Sequence, residues 1–219
     1  ISHLHQLPYV CLEGLKGTGK STLMSWLIER LQAEYQVILL HPTQPFEGED
    51  VLREALKQAH QDSLSPEQYR EHFYAARSAQ AVAQASERLM NLNPHDLRPP
   101  ILLGDRSFYT SLVTRWHRVH DQGFLAHYQH TRTFESTIPI PSLVIYLSLP
   151  FDDLRQRLET RGKQEGAQDE TEERLLEAQQ AYEALISASW CHILGQNNAA
   201  QELLQTQWVE VALNDQDKT

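Results

Sequence analysis

Residues 14–22 read Gly-Leu-Lys-Gly-Thr-Gly-Lys-Ser-Thr and fit the pattern G-x-x-x-x-G-K-[ST]. A loop of this kind restricts the fold, because its backbone N–H groups must turn inward around one anion between the end of a strand and the start of a helix. The flanks supply both. Residues 9–12 are a short apolar run, and residues 21–31 carry Leu23, Leu27 and Leu31 at helical spacing. The competing explanation, a chance glycine turn before a helix, does not account for motif and context agreeing. The segment therefore predicts a phosphate-binding loop made of Gly14, Leu15, Lys16, Gly17, Thr18, Gly19, Lys20, Ser21 and Thr22. In it Lys20 reaches the β and γ oxygens of ATP, and Ser21 ligates Mg²⁺.

Further apolar runs at 37–40, 101–103, 143–149 and 208–213 read as buried strands, the first stopped by His41-Pro42. Helical segments lie between them. The clearest opens at Ser65-Pro66, with Gln68 three residues after the serine, and runs over 67–92. This alternation predicts an α/β chain with a parallel sheet covered on both faces, and ligands at the carboxyl ends of its strands. Residues 161–169, polar and holding two glycines between two helical segments, are the expected mobile stretch.

With 219 residues, 41% of them hydrophobic, the chain 1–219 is expected to form one domain. Acidic residues outnumber basic ones 29 to 19, for a net charge of −10, so the overall field disfavours nucleic acid and anionic membrane as partners. Any anion site must be local. The two cysteines, Cys11 and Cys191, lack C-x-x-C spacing, and Cys11 inside the first strand reads as a small buried apolar side chain. No apolar run approaches the roughly 18 residues of a membrane span, and the N-terminus lacks a signal-peptide pattern. A soluble, unprocessed, cytoplasmic protein is the expectation.

Four segments, in order and spacing, resemble the thymidylate kinase family over most of the chain. They are residues 13–22; Phe73-Tyr74-Ala75-Ala76-Arg77; Asp105-Arg106-Ser107 followed by Thr110-Ser111; and residues 155–162. The resemblance implies the three-layer P-loop NTPase fold, a five-stranded parallel sheet flanked by helices, and a homodimer joined through helix faces. It also implies transfer of the γ-phosphoryl of ATP, with Mg²⁺, to dTMP or a related nucleoside monophosphate.

Physical reading and resemblance meet on several residues. Phe73, Arg77 and Gln80 fall at i, i+4 and i+7 and share a helix face, while Ala75, Ala79, Val82, Leu89 and Leu92 read as its core side. The matched family positions imply that Phe73 stacks on the acceptor base and Arg77 donates to a ring carbonyl. The plainer alternative makes Phe73 core and Arg77 a solvated charge. Asp105 ends the third strand, where an acid can hold Mg²⁺ through water or orient the acceptor. Arg106 by resemblance grips the acceptor's phosphate; a strand-end salt bridge is the alternative. Arg157 and Arg161, at i and i+4 before the glycine-bearing stretch, look like the start of a lid over 157–169. Some family members carry an arginine inside the phosphate loop and others on the lid. Here Gly17 occupies the loop position, which implies the second arrangement, against the alternative of cations decorating a helix C-terminus. His117 and His120 lack a carboxylate or cysteine to complete a metal set and read as surface histidines. Residues 214–217 are a candidate border for the adenine.

Two rivals remain. A deoxynucleoside kinase shares Glu13-Gly14 and Asp105-Arg106-Ser107, but a neutral hydroxyl acceptor benefits from a general base, and Gln44 stands where that family has its carboxylate. Glu47 and Glu49 keep this rival open. A nucleotide-dependent regulatory ATPase would show a partner surface in place of an acceptor pocket. Against the thymidylate kinase pattern, Lys16 replaces a carboxylate, Thr43 an arginine, and Val113-Thr114-Arg115 the usual Ala-Tyr-Gln; all three departures concern the acceptor.

Overall fold

Five short apolar runs, each ended by a polar or turn-forming residue, become five parallel strands. They are β1 (Tyr9–Glu13), β2 (Gln36–Leu40), β3 (Pro100–Asp105), β4 (Leu143–Ser148) and β5 (Gln207–Ala212), in the order β2-β3-β1-β4-β5. The computed structural model describes residues 3–60, 63–161, 171–191 and 198–213. Eight α-helices are present among them: α1 (Lys20–Leu31), α2 (Glu49–His60), α3 (Pro66–Met90), α4 (Phe108–Thr114), α5 (His117–Gln122), α6 (Phe124–Phe134), α7 (Phe151–Arg161) and α8 (Glu172–Ile186). The first strand lies at the centre, so the loop that follows it leaves from mid-sheet between the ends of β3 and β4. Register places Leu12 beside Asp105 and Glu13 beside Tyr146. This is the α/β arrangement expected from the alternation of elements.

Alternating strand residues feed two apolar layers. Cys11, Ile38, Leu40, Leu102 and Val144 join Val82 and Ala85 of α3 on one side of the sheet. On the other, Leu12 and Leu103 pack against Met24, with Leu23, Leu27 and Ile28 of α1 around them. Both cysteines are free, and Cys11 is fully buried in the first layer.

The start of α3 is built as its sequence predicts. Ser65 Oγ accepts from Gln68 N at 3.2 Å, and Gln68 Oε1 accepts from Ser65 N at 2.9 Å, a reciprocal cap that satisfies two orphan donors. Its inner face differs in one respect. Val82, Leu89 and Leu92 turn inward as expected, but Ala79 is exposed and Ala85 fills the core instead. The buried stripe therefore differs from the one a straight 3.6 count assigns. Among the described residues no helix is long and apolar enough to cross a membrane.

Candidate active site

The loop after β1 can close only with glycine at its first position. Gly14 has φ +138°, and a Cβ there would lie 2.6 Å from the carbonyl oxygen of Leu147. At Gly17 (φ +94°) a Cβ would meet Leu154 at 3.3 Å and Leu158 at 3.5 Å, so the loop tip packs directly on α7. Lys20 folds back across this turn, its Nζ donating to Gly14 O at 2.8 Å and Leu15 O at 2.7 Å. Thr18 Oγ1 donates to Leu15 O at 2.9 Å and braces the same turn. The Lys20 ammonium is buried and its pKa falls to about 8. Loss of hydration is the main cause and the neighbouring Arg106 charge adds to it, while Glu13 and Asp105 pull the other way.

Glu13 braces this loop from below. Its fully buried carboxylate accepts from Ser107 Oγ at 2.7 Å, Thr110 Oγ1 at 2.8 Å and Tyr182 OH at 2.7 Å. One side chain thus ties the end of β1 to the start of α4 and to α8. Burial, and then the Glu13 charge, hold the Tyr182 hydroxyl well above the usual tyrosine range. A lone acid closing an apolar strand is the local signal for Glu13. Nothing local points to Tyr182.

Asp105 and Arg106 stand at the adjoining strand end. Asp105 Oδ2 accepts from Gln44 Nε2 at 3.2 Å. Arg106 takes φ +69°, uncommon without glycine, while its N–H donates to Leu12 O at 3.0 Å and its Nη1 to Thr110 Oγ1 at 3.4 Å. Ser21, exposed in the first turn of α1, and Asp105 offer one hydroxyl and one carboxylate. No group of three or more His, Cys, Asp or Glu side chains that could hold a metal occurs among the described residues. A hydroxyl plus one acid suits Mg²⁺, which keeps waters and substrate phosphates as its other ligands.

A second cluster forms where α3 meets the segment after β2. Arg77 Nη2 lies 2.5 Å from Glu49 Oε1, and Arg77 Nη1 donates to Thr43 O at 2.9 Å. Arg53 reaches the same Glu49 oxygen at 3.1 Å. Both guanidinium groups lie over the Phe73 ring, at 5.0 Å for Arg53 and 4.9 Å for Arg77, and Tyr69 stacks parallel to it at 6.5 Å. Phe73 is therefore buried, though outside the main apolar layers, and Gln80 is exposed and does not join the cluster. Burial alone would raise the Glu49 pKa, but hydrogen bonds and charge from Arg77 and Arg53 hold it below the usual range. Beside the cluster is a cavity of about 170 Å³ whose lining includes His41, Gln44, Phe46, Arg77 and Arg88. Gln44 links the two groups of residues, since it lines the cavity and holds Asp105.

Arg157 lies against the phosphate loop, Nη1 donating to Gly17 O at 3.4 Å. Arg161 ends α7; its side chain, residues 162–170 of the expected lid and residues 214–217 lie outside the described residues. The segment that replaces Ala-Tyr-Gln is accounted for by packing. Val113 is in the core, Thr114 is exposed, and Arg115 sits 3.9 Å from both Glu71 and Glu135, two buried acids. His117 and His120 are on the surface, His117 3.7 Å from Glu67.

Compared with known proteins, residues 12–207 match the model of the thymidylate kinase family. No curated protein matches the chain.

Proposed function

The chain belongs to the thymidylate kinase family, and from that membership we propose how its residues divide the work of an ATP-dependent nucleoside-monophosphate kinase. The observation that carries the reading is Lys20, drawn across a glycine turn beside Asp105 and Arg106. When ATP enters, its β and γ oxygens replace Gly14 O and Leu15 O as partners of the Lys20 ammonium, and the loop N–H groups take the remaining phosphate oxygens. Ser21 and, through water, Asp105 would hold Mg²⁺, which would supply positive charge against the phosphate oxygens. Arg106 holds the acceptor's phosphate, whose oxygen forms the new bond to the γ-phosphorus as the bond to the β-bridging oxygen breaks and ADP leaves. Arg157, from α7, places positive charge where the equatorial oxygens gain negative charge. Arg161, which ends α7, is assigned the same task.

Phe73 and Arg77 form the wall that receives the acceptor base. A monophosphate needs no general base, because its oxygen is already ionised, whereas a nucleoside hydroxyl does. The carboxylate nearest this wall, Glu49, is committed to two arginines and has a depressed pKa, which makes it a poor base. Gln44 carries no charge at all. A single domain, a homodimer and a cytoplasmic location complete the reading. ADP release measured against a panel of nucleosides and nucleoside monophosphates tests it: turnover is expected with dTMP or a related monophosphate, and turnover with nucleosides alone would overturn it.

A further inference from the structure

Taking the acceptor wall above as its starting point, we infer that Glu49 is a positioning residue that sets the Arg77 guanidinium for acceptor recognition. An arginine side chain has many rotamers, so a free one would recognise a flat ring poorly. Two fixed points remove that freedom. Arg77 Nη2 is held by Glu49 at the first residue of α2, and Nη1 by the Thr43 carbonyl in the segment just after β2. Together they define the plane of the guanidinium over Phe73, at 4.9 Å from the ring centre.

The chemistry of Glu49 fits this task better than that of a passive surface ion pair. Its side chain is only 9% exposed, so the attraction is poorly screened and the cost of leaving either charge alone is high. One oxygen, Oε1, serves both Arg77 and Arg53, while Oε2 is buried with no hydrogen-bond partner among the described residues. Arg53, one helical turn from Glu49 on α2, shares that oxygen and is half exposed, so Glu49 remains anchored to α2 when Arg77 adjusts to a ligand. Arg77 and its anchor therefore belong to different elements, and the carboxylate is the joint between them.

The test is acceptor kinetics at saturating ATP for Glu49→Gln, Arg77→Ala and the double variant. Glu49→Gln keeps the shape but loses the negative charge, so the buried ion pair with Arg77 becomes a hydrogen bond from a cation to a neutral amide. The acceptor KM should rise on the order of tenfold, with kcat within about twofold and the KM for ATP unchanged. Added to Arg77→Ala, the same change should cost less than about twofold, since its partner is already gone. An unchanged or lowered acceptor KM in Glu49→Gln, with Arg77→Ala still impaired, overturns the role of Glu49 and leaves the acceptor wall standing. Equal costs of Glu49→Gln in both backgrounds overturn it too. An unimpaired Arg77→Ala would instead remove the acceptor wall. Glu49→Asp, charged but shorter, should give a smaller rise in KM, and it replaces the Gln variant if that one does not fold.

Discussion

Raising the pH from 7 to 9 should weaken ATP binding by roughly tenfold. The pKa of Lys20 is about 8 in the folded chain, against 10.5 for an ordinary lysine. Its charged fraction then falls from about nine-tenths at pH 7 to about one-tenth at pH 9. When only the charged form binds phosphate well, apparent affinity scales with that fraction, so the change is close to tenfold, or about 1.4 kcal/mol. Calorimetric titration with ATP at pH 7, 8 and 9, in two buffers of different ionisation enthalpy, reads both affinity and proton uptake. About half a proton should be taken up at pH 8. Lys20→Arg, charged throughout this range, should give a flat curve. The same shift acts on stability with a definite sign. Between pH 8 and 10.5 the unfolded chain binds more protons at this position than the folded one, so the stability of wild type relative to Lys20→Met should rise across that window, by about 3 kcal/mol in all. An ATP affinity independent of pH, with no proton uptake, would refute the reasoning.

Gly14→Ala should lower the melting temperature, by a cost on the order of 2–4 kcal/mol, because the new methyl meets Leu147 O at a positive φ; an unchanged melting curve would show that the loop relaxes freely. Lys20→Ala should abolish phosphoryl transfer, and near-normal turnover would remove the central assignment. Arg157→Ala should lower kcat by about 10²-fold with a smaller change in the KM for ATP, as expected of a group acting on charge developed in the transition state. A change confined to KM would place Arg157 in ground-state binding. Lys16→Asp should improve kcat/KM with dTMP if the lysine, which has donors only, fails to serve the sugar hydroxyl. No improvement would shift attention to Thr43.

The strands and the phosphate loop were legible because each is a local pattern: an apolar run with its stop, or three glycines before a lysine. Asp105 and Arg106 were legible for the same reason, as a charged pair closing an apolar strand. What local patterns cannot carry is who meets whom across the chain. The stripe of Phe73 and Arg77 was visible on α3, but not that Arg77 is already gripped by Glu49, 28 residues earlier. Glu13 was visible as part of a motif, while its three hydroxyl donors come from α8 and from α4 with the residue that caps it, whose docking depends on the whole sheet. Arg115 looked like an altered acceptor contact, and the structure turns it toward Glu71 and Glu135 instead.

The hydrogen bond from Tyr182 to Glu13 spans 169 residues and so sets an order of events during synthesis. A chain leaving the ribosome exposes its glycine turn early, but β3, β4 and finally α8 must follow before the acid beneath that turn is fully satisfied. Closing so long a loop adds little to the equilibrium cost, which grows only with the logarithm of its length. It does delay the contact, since non-local pairings form slowly. Nascent chains stalled before Tyr182 should therefore not retain ATP, and the nucleotide pocket should be among the last parts of the molecule to mature.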